Sequence, residues 1–162
     1  MNMNVNFSDY MTDCVRILIL ISSAKKHKSI KLTENRIRLY DYYFRFPFTM
    51  IENEAKEVGL EMNVDEYYAF FHWQPDVIRY RQILNYLVAK GFIMIENEND
   101  EKIFCITEIG DEVIQKIESS YKDKLLILSD PIVKKLKSVS DTKIVDEIRQ
   151  KTNLLSKKGW RV

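Results

Sequence analysis

Residues 74–121, QPDVIRYRQILNYLVAKGFIMIENENDEKIFCITEIGDEVIQKIESSY, change their hydrophobic period twice and thereby decide the fold. In the first part Val77, Tyr80, Leu84, Leu87 and Val88 recur on one helical face, Pro75 and Asp76 suit a helix start, and Gly91 suits a stop. A helix over about 76–90 is predicted. Residues 92–96 are then a short apolar run, 97–101 a polar turn cluster and 103–106 a second apolar run, so a β-hairpin follows. Thr107 is placed to cap another helix with Ile109, Val113 and Ile117 on one face, and Gly110 in its first turn allows a close approach to the hairpin.

Upstream, Ser8 and Asp9 suit an N-cap for a helix through about Lys26, with Val15, Leu18, Ile19 and Ser22 facing a core. A second helix from Thr33 to about Arg45 carries Ile37, Tyr40, Tyr43 and Phe44 and stops before Pro47, because a residue preceding proline is pushed out of the α region. Residues 49–66 are acidic, contain Gly59 and read as short irregular or helical structure. Downstream, Leu125, Ile127, Leu128, Ile132, Val133 and Leu136 predict a helix broken near 129–131. Ile144, Val145 and Ile148 predict one more, opened by Ser140 and Asp141. Helices, hairpin, helix is the order of a winged-helix domain. The expectation is an α+β, mostly helical chain, with a winged-helix-like core over residues 1–121 and a basic helical extension over 122–162.

Composition bounds the function. The 162 residues are 46% hydrophobic and 30% charged, with four Gly and three Pro, which describes one compact soluble domain or a domain with a helical extension. Cys14 and Cys105 are too few for a disulfide scaffold and lack metal-ligand spacing, which fits a reducing cytoplasm. The aliphatic run 17–21 is far too short to span a membrane, and Asn2, Asn4, Asn6 and Asp9 stand where a signal peptide would be basic. A cytoplasmic protein without membrane contact is expected. The net charge of +1 is an average over unequal segments. Residues 1–48 hold eight basic and four acidic side chains, 49–121 six and fifteen, and 122–162 eleven and five. An acidic middle between basic ends implies surfaces for different partners, or ends folded back onto the middle.

A winged helix that reads DNA needs Arg or Lys on the helix before the wing and at the wing tip. Here the tip holds Glu96, Glu98, Asp100 and Glu101 against Lys102, a set that phosphate repels. The preceding helix offers only Arg79, Gln82, Tyr86 and Lys90 on its outward stripe. A free-standing winged-helix transcriptional regulator is therefore the alternative reading and not the leading one. Eleven of the nineteen aromatics fall in two strings, residues 38–48 and 67–73, where they could build the core or anchor a partner. Asp41, in the middle of the first string, calls for a nearby Arg.

Catalytic patterns are missing from the sequence. His27 and His72 belong to no triad or metal cluster, and no Gly-rich phosphate loop exists. Asp76 with Asp100, Glu101 and Lys102 mimics nuclease spacing, but a helix start and a hairpin tip do not converge on a metal as adjoining strands do. The reading is a protein that is not an enzyme, with no cofactor, no metal and no small-molecule substrate.

The strings LYDYYFRFP (39–47) and YYAFFHWQPDVIRYRQILNYLVAKGFI (67–93), then the hairpin and TEIG (107–110), resemble the middle component of ABC-three-component systems. Among these the chain is similar to the small third subunit of Lamassu anti-phage systems, over about residues 10–120. The resemblance implies a non-enzymatic subunit that docks on an SMC-like ATPase, near its heads or adjoining coiled coil. It also implies a role in holding a nuclease effector inactive until foreign DNA is sensed. On that footing Arg38, Asp41, Arg45, Phe46, Trp73, Asp76, Arg79 and Tyr80 are expected to form or support the ATPase-facing surface. The basic tail matches no family motif. Its Lys134, Lys135, Lys137, Lys157, Lys158 and Arg161 are candidates for non-specific DNA contact within the complex.

Overall fold

In the computed structural model the described residues are 7–27, 30–62, 64, 66, 69 and 76–159, with side chains described between 9 and 153. They form a mostly helical fold with one two-stranded antiparallel hairpin, as the periodicity predicts. Helix α1 (Phe7–Lys25) is its axis. Residues 16–21 are all buried, so this helix is covered on every side and not only along the predicted stripe of Val15, Leu18, Ile19 and Ser22. Its neighbours are α2 (Glu34–Arg45), α5 (Val77–Ala89), β2 (Glu101–Ile106), α6 (Glu108–Lys116) and α7 (Ser120–Leu136).

Local chemistry sets the boundaries. The Thr33 hydroxyl accepts from the Arg36 N–H at 3.2 Å to cap α2, and Pro47 opens the short α3 (Pro47–Met50), where its missing N–H costs nothing. After α4 (Glu52–Glu57), Gly59 takes φ +74°. The Asp76 carboxylate caps α5 through the Arg79 N–H at 3.0 Å, and Gly91 ends that helix with φ +73°.

The hairpin pairs β1 (Ile93–Glu98) with β2 in an unbroken register from Ile93–Ile106 to Glu98–Glu101. Its strands reach further than predicted, and the turn is only Asn99 and Asp100. Both occupy the left-handed region, at φ 50° and 64°, which Asn and Asp tolerate better than other non-glycine residues. Thr107 caps α6 by accepting from the Gly110 N–H at 3.1 Å, and its hydroxyl donates to the Gly91 carbonyl at 2.6 Å. The buried face of α6 is Gly110 and Ile114; Ile109 is 55% exposed, which corrects the predicted face. The reason is contact distance: a Cβ on Gly110 would stand 2.1 Å from the Phe92 carbonyl oxygen, so only glycine lets α6 lie this close to the hairpin base.

The predicted break at 129–131 does not occur, and α7 runs through Pro131. Leu125, Leu128, Ile132, Val133 and Leu136 form one buried stripe across it. Breaking the helix would cost the burial of one half, which exceeds the roughly 3 kcal/mol penalty of an interior proline. Helix α8 (Asp141–Gly159) follows and rests on α2 and α3. Leu125, Leu128, Ile132, Leu136, Ile144 and Ile148 belong to the same apolar cluster as α1 and α2. Polar ties fasten these helices: Tyr43 donates to Glu147 at 3.0 Å, Arg36 holds Asp141 at 2.8 Å and the Val139 carbonyl at 2.9 Å, and Lys151 donates to the Met50 carbonyl.

Candidate functional site

At the centre of the fold lies a buried network of charges. Asp41 is 0% exposed, on the inward side of α2, because its helix is buried over residues 37–44 except at Arg38. Its carboxylate receives Arg16 bidentately, Nε to Oδ1 at 2.6 Å and the terminal nitrogen to Oδ2 at 3.0 Å. The Tyr80 hydroxyl also donates to it. Arg16 in turn reaches Asp13 at 2.8 Å and the Tyr121 hydroxyl at 3.4 Å. The guanidinium thus gathers groups from α1, α2 and α7, and Asp41 adds Tyr80 from α5. Burial works against the Arg16 charge, but Asp41 outweighs it and holds the pKa well above the usual arginine value. Burial, then Asp41, raises the Tyr80 hydroxyl. The phenol therefore stays a donor.

Asp13 connects this network to the surface. It accepts Arg79 at 2.7 Å, and Arg79 lies 5.9 Å over the Tyr10 ring, which meets Tyr86 edge-on at 6.0 Å. Beside these groups opens a cleft of about 750 Å³, with Arg45, Phe48, Glu66, Arg79, Tyr121 and Lys124 in its wall. Glu66 is buried and accepts the Phe48 and Thr49 N–H groups, both at 3.1 Å, and the Thr49 hydroxyl at 2.7 Å, fixing the first turn of α3. Arg45 lies 5.1 Å over the Phe46 ring. Burial raises the Cys14 thiol to about 11, so it is a packing residue rather than a nucleophile.

The partner candidates divide by depth. Asp41, Phe46 and Tyr80 are buried and can act only from beneath a surface. Arg38 is pinned by Glu34 at 2.7 Å and Asn35 at 3.2 Å, with its Nε buried and unpartnered among the described residues. Arg45 and Arg79 are half-buried at the cleft, and Asp76 is exposed at the start of α5. Trp73 lies outside the described residues. Of the first aromatic string, Tyr40, Tyr42, Tyr43, Phe44 and Phe46 are core, so core packing, not an exposed patch, accounts for it. The residues that sequence reasoning missed are Arg16, Asp13 and Glu66. Arg16 had a signal: a lone cation entering the apolar run 17–21 has to find a counter-charge.

Among the tail lysines, Lys134 pairs with Asp130 at 2.7 Å, Lys135 with Glu147 at 3.4 Å, and Lys137 is exposed. The side chains of Lys157 and Lys158, and Arg161 altogether, lie outside the described residues. Among the described residues no group of His, Cys, Asp and Glu is arranged to hold a metal, and no helix is long and apolar enough to cross a membrane.

A family model for the ABC-three component (ABC-3C) system Middle Component 2 matches residues 7–158. Comparison with curated proteins and with solved structures gave no match.

Proposed function

The chain belongs to the ABC-three component system Middle Component 2 family, and on that premise we propose that it is a non-enzymatic assembly subunit of a bacterial defence complex. Membership makes it one component of a multi-subunit system, and the match over residues 7–158 is the observation that carries the reading. More specifically, the subunit docks on an SMC-like ATPase with a coiled coil and helps keep a nuclease effector inactive, as in Lamassu-type anti-phage systems, within the cytoplasm. The α5, hairpin and α6 unit is read as a winged helix turned to protein contact.

Arg45 and Arg79 at the cleft, with Arg38 and Asp76, supply the ATPase-facing groups in this reading. Asp41, Phe46 and Tyr80 set their positions from below, and Trp73 completes the set. Half-buried arginines that stack on aromatic rings are favoured at protein interfaces, since their planar heads are weakly hydrated and already ordered. The exposed, acidic hairpin tip argues against the alternative of a free-standing DNA-reading regulator. Lys134 and Lys137 provide non-specific phosphate contact inside the assembled complex, with Lys135, Lys157, Lys158 and Arg161 in support.

Tagged pull-down from the native operon tests this. Wild-type chain retains a large coiled-coil ATPase in fixed ratio, and Arg45→Glu loses it while remaining folded. A chain that purifies alone as a homodimer with tight, sequence-selective duplex binding overturns the reading.

A further inference from the structure

The hairpin has one closed edge and one open edge. The Thr107 N–H donates to the Phe92 carbonyl at 3.0 Å, and the two-residue turn makes Glu98 and Glu101 a hydrogen-bonded pair. Bonded and non-bonded pairs alternate along an antiparallel ladder. Met94, Glu96 and Glu98 therefore turn their backbone groups toward β2, while Ile95 and Asn97 turn theirs outward. On β2 the corresponding outward side is taken, because the Phe104 N–H donates to the Leu32 carbonyl at 2.9 Å. On β1, no described residue accepts from or donates to the outward groups of Ile95 and Asn97.

This edge is guarded by carboxylates alone. Sheet edges that must stay unpaired carry charged side chains, Lys above all, Pro or a bulge. Residues 93–98, IMIENE, have no Lys and no Pro, and the register has no bulge, so Glu96 and Glu98 deter an acidic strand but not a basic one. Every β1 residue except Ile93 is exposed, with Met94 at 45% and Ile95 at 37%, one on each face of the strand.

We propose that the outward edge of β1 takes an extended basic segment of a partner subunit as an added strand. Charge selects that occupant. Glu96, Glu98, Asp100 and Glu101 surround the far end of the hairpin, against Lys102 and Lys31, the latter bound to Glu98 at 2.5 Å. The surplus of carboxylates attracts a strand bearing Lys or Arg. It repels an acidic strand, and equally a second copy of this hairpin, whose own acidic edge would face it. Met94 and Ile95 then provide an apolar anchor above and below the new ladder, and the outward groups of Ile95 and Asn97 provide its hydrogen bonds. The proposal rests on the reading of the chain as an assembly subunit, since another component has to contribute the strand.

Hydrogen exchange tests it, comparing the free chain with the complex purified from its own operon. The Ile95 and Asn97 amides exchange about tenfold or more slowly in the complex, while those of Glu96 and Glu98, already bonded to β2, change little. Ile95→Pro deletes the outward N–H without touching the hairpin ladder, and lowers the partner retained by about tenfold. Ile95→Val keeps the N–H and retains the partner. Unchanged exchange at Ile95 and Asn97 within an assembled complex overturns the proposal, as does full partner retention by Ile95→Pro. Protection of both amides in the free chain, at twice its monomer mass, assigns the edge to self-pairing and overturns it too. A wild-type chain that assembles with nothing refutes the assembly reading itself and removes this proposal with it.

Discussion

Replacing Asp41 by Leu leaves Arg16 charged in the interior with only Asp13 for a counter-ion. Both groups of the lost pair are almost wholly inaccessible, with side chains 7% and 0% exposed, so solvent does not screen the loss. Removing one partner of a buried ion pair costs about 3–5 kcal/mol, because the remaining charge keeps its desolvation penalty and loses its compensation. Tyr80 loses its acceptor as well. That is a large share of the roughly 5–15 kcal/mol that stabilises a typical domain. For a chain of this length it lowers Tm by about 10 °C, measured by scanning calorimetry. The partner variant Arg16→Met is expected to cost a similar amount. The double variant Arg16→Met with Asp41→Leu, which exchanges the pair for apolar volume, recovers most of the loss, costing no more than about 1–2 kcal/mol where additive losses would sum to about 6–10 kcal/mol. An Asp41→Leu chain within 2 °C of wild type (roughly the scatter of a neutral surface change) would refute the reasoning, as would strictly additive losses in the double variant.

Three other changes probe separate features. Gly110→Ala drives a methyl into the Phe92 carbonyl and destabilises by about 1–3 kcal/mol in urea denaturation, whereas Ala at exposed Ile109 is near neutral. Pro131→Ala removes the roughly 3 kcal/mol penalty of an interior proline from α7 and raises Tm by about 6–12 °C; a fall would show that the proline is required where it stands. Glu147 has its pKa lowered: burial opposes this, but the bonds from Lys151 and Tyr43 prevail. A depressed carboxylate stabilises above its unfolded value near 4.3 and loses that contribution as pH falls through the lower folded value. Glu147→Gln therefore flattens the decline of wild-type stability below about pH 4, and an unchanged slope in acid urea titrations removes Glu147 from the account.

Sequence reading found the elements where a local signal existed. Thr107 caps as expected, and Thr33 and Asp76, read as helix starts, prove to be caps as well, because a cap needs only residues three positions apart. Gly91 and Gly110 act as predicted for similarly local reasons. Errors came where a distant contact decides. Pro131 looked like a break because the apolar stripe that holds α7 together is satisfied by α1, over a hundred residues away in sequence. The predicted face of α6 failed because apolar spacing alone cannot tell that Gly110 must approach the hairpin. At the site, Asp41 was recognised as needing an arginine, but spacing could not identify Arg16, which lies 25 positions upstream on another helix.

The covering of α1 sets the order in which this chain can fold. Its apolar run at 17–21 leaves the ribosome well before α7, which forms part of its cover and whose buried stripe extends to Leu136. Contacts between such distant segments close late and raise contact order, so a nascent chain ending before that point carries an exposed apolar helix and an Arg16 without Tyr121. The same topology makes α7 an end-stop for synthesis: a messenger truncated within it yields an aggregation-prone product instead of a smaller working subunit.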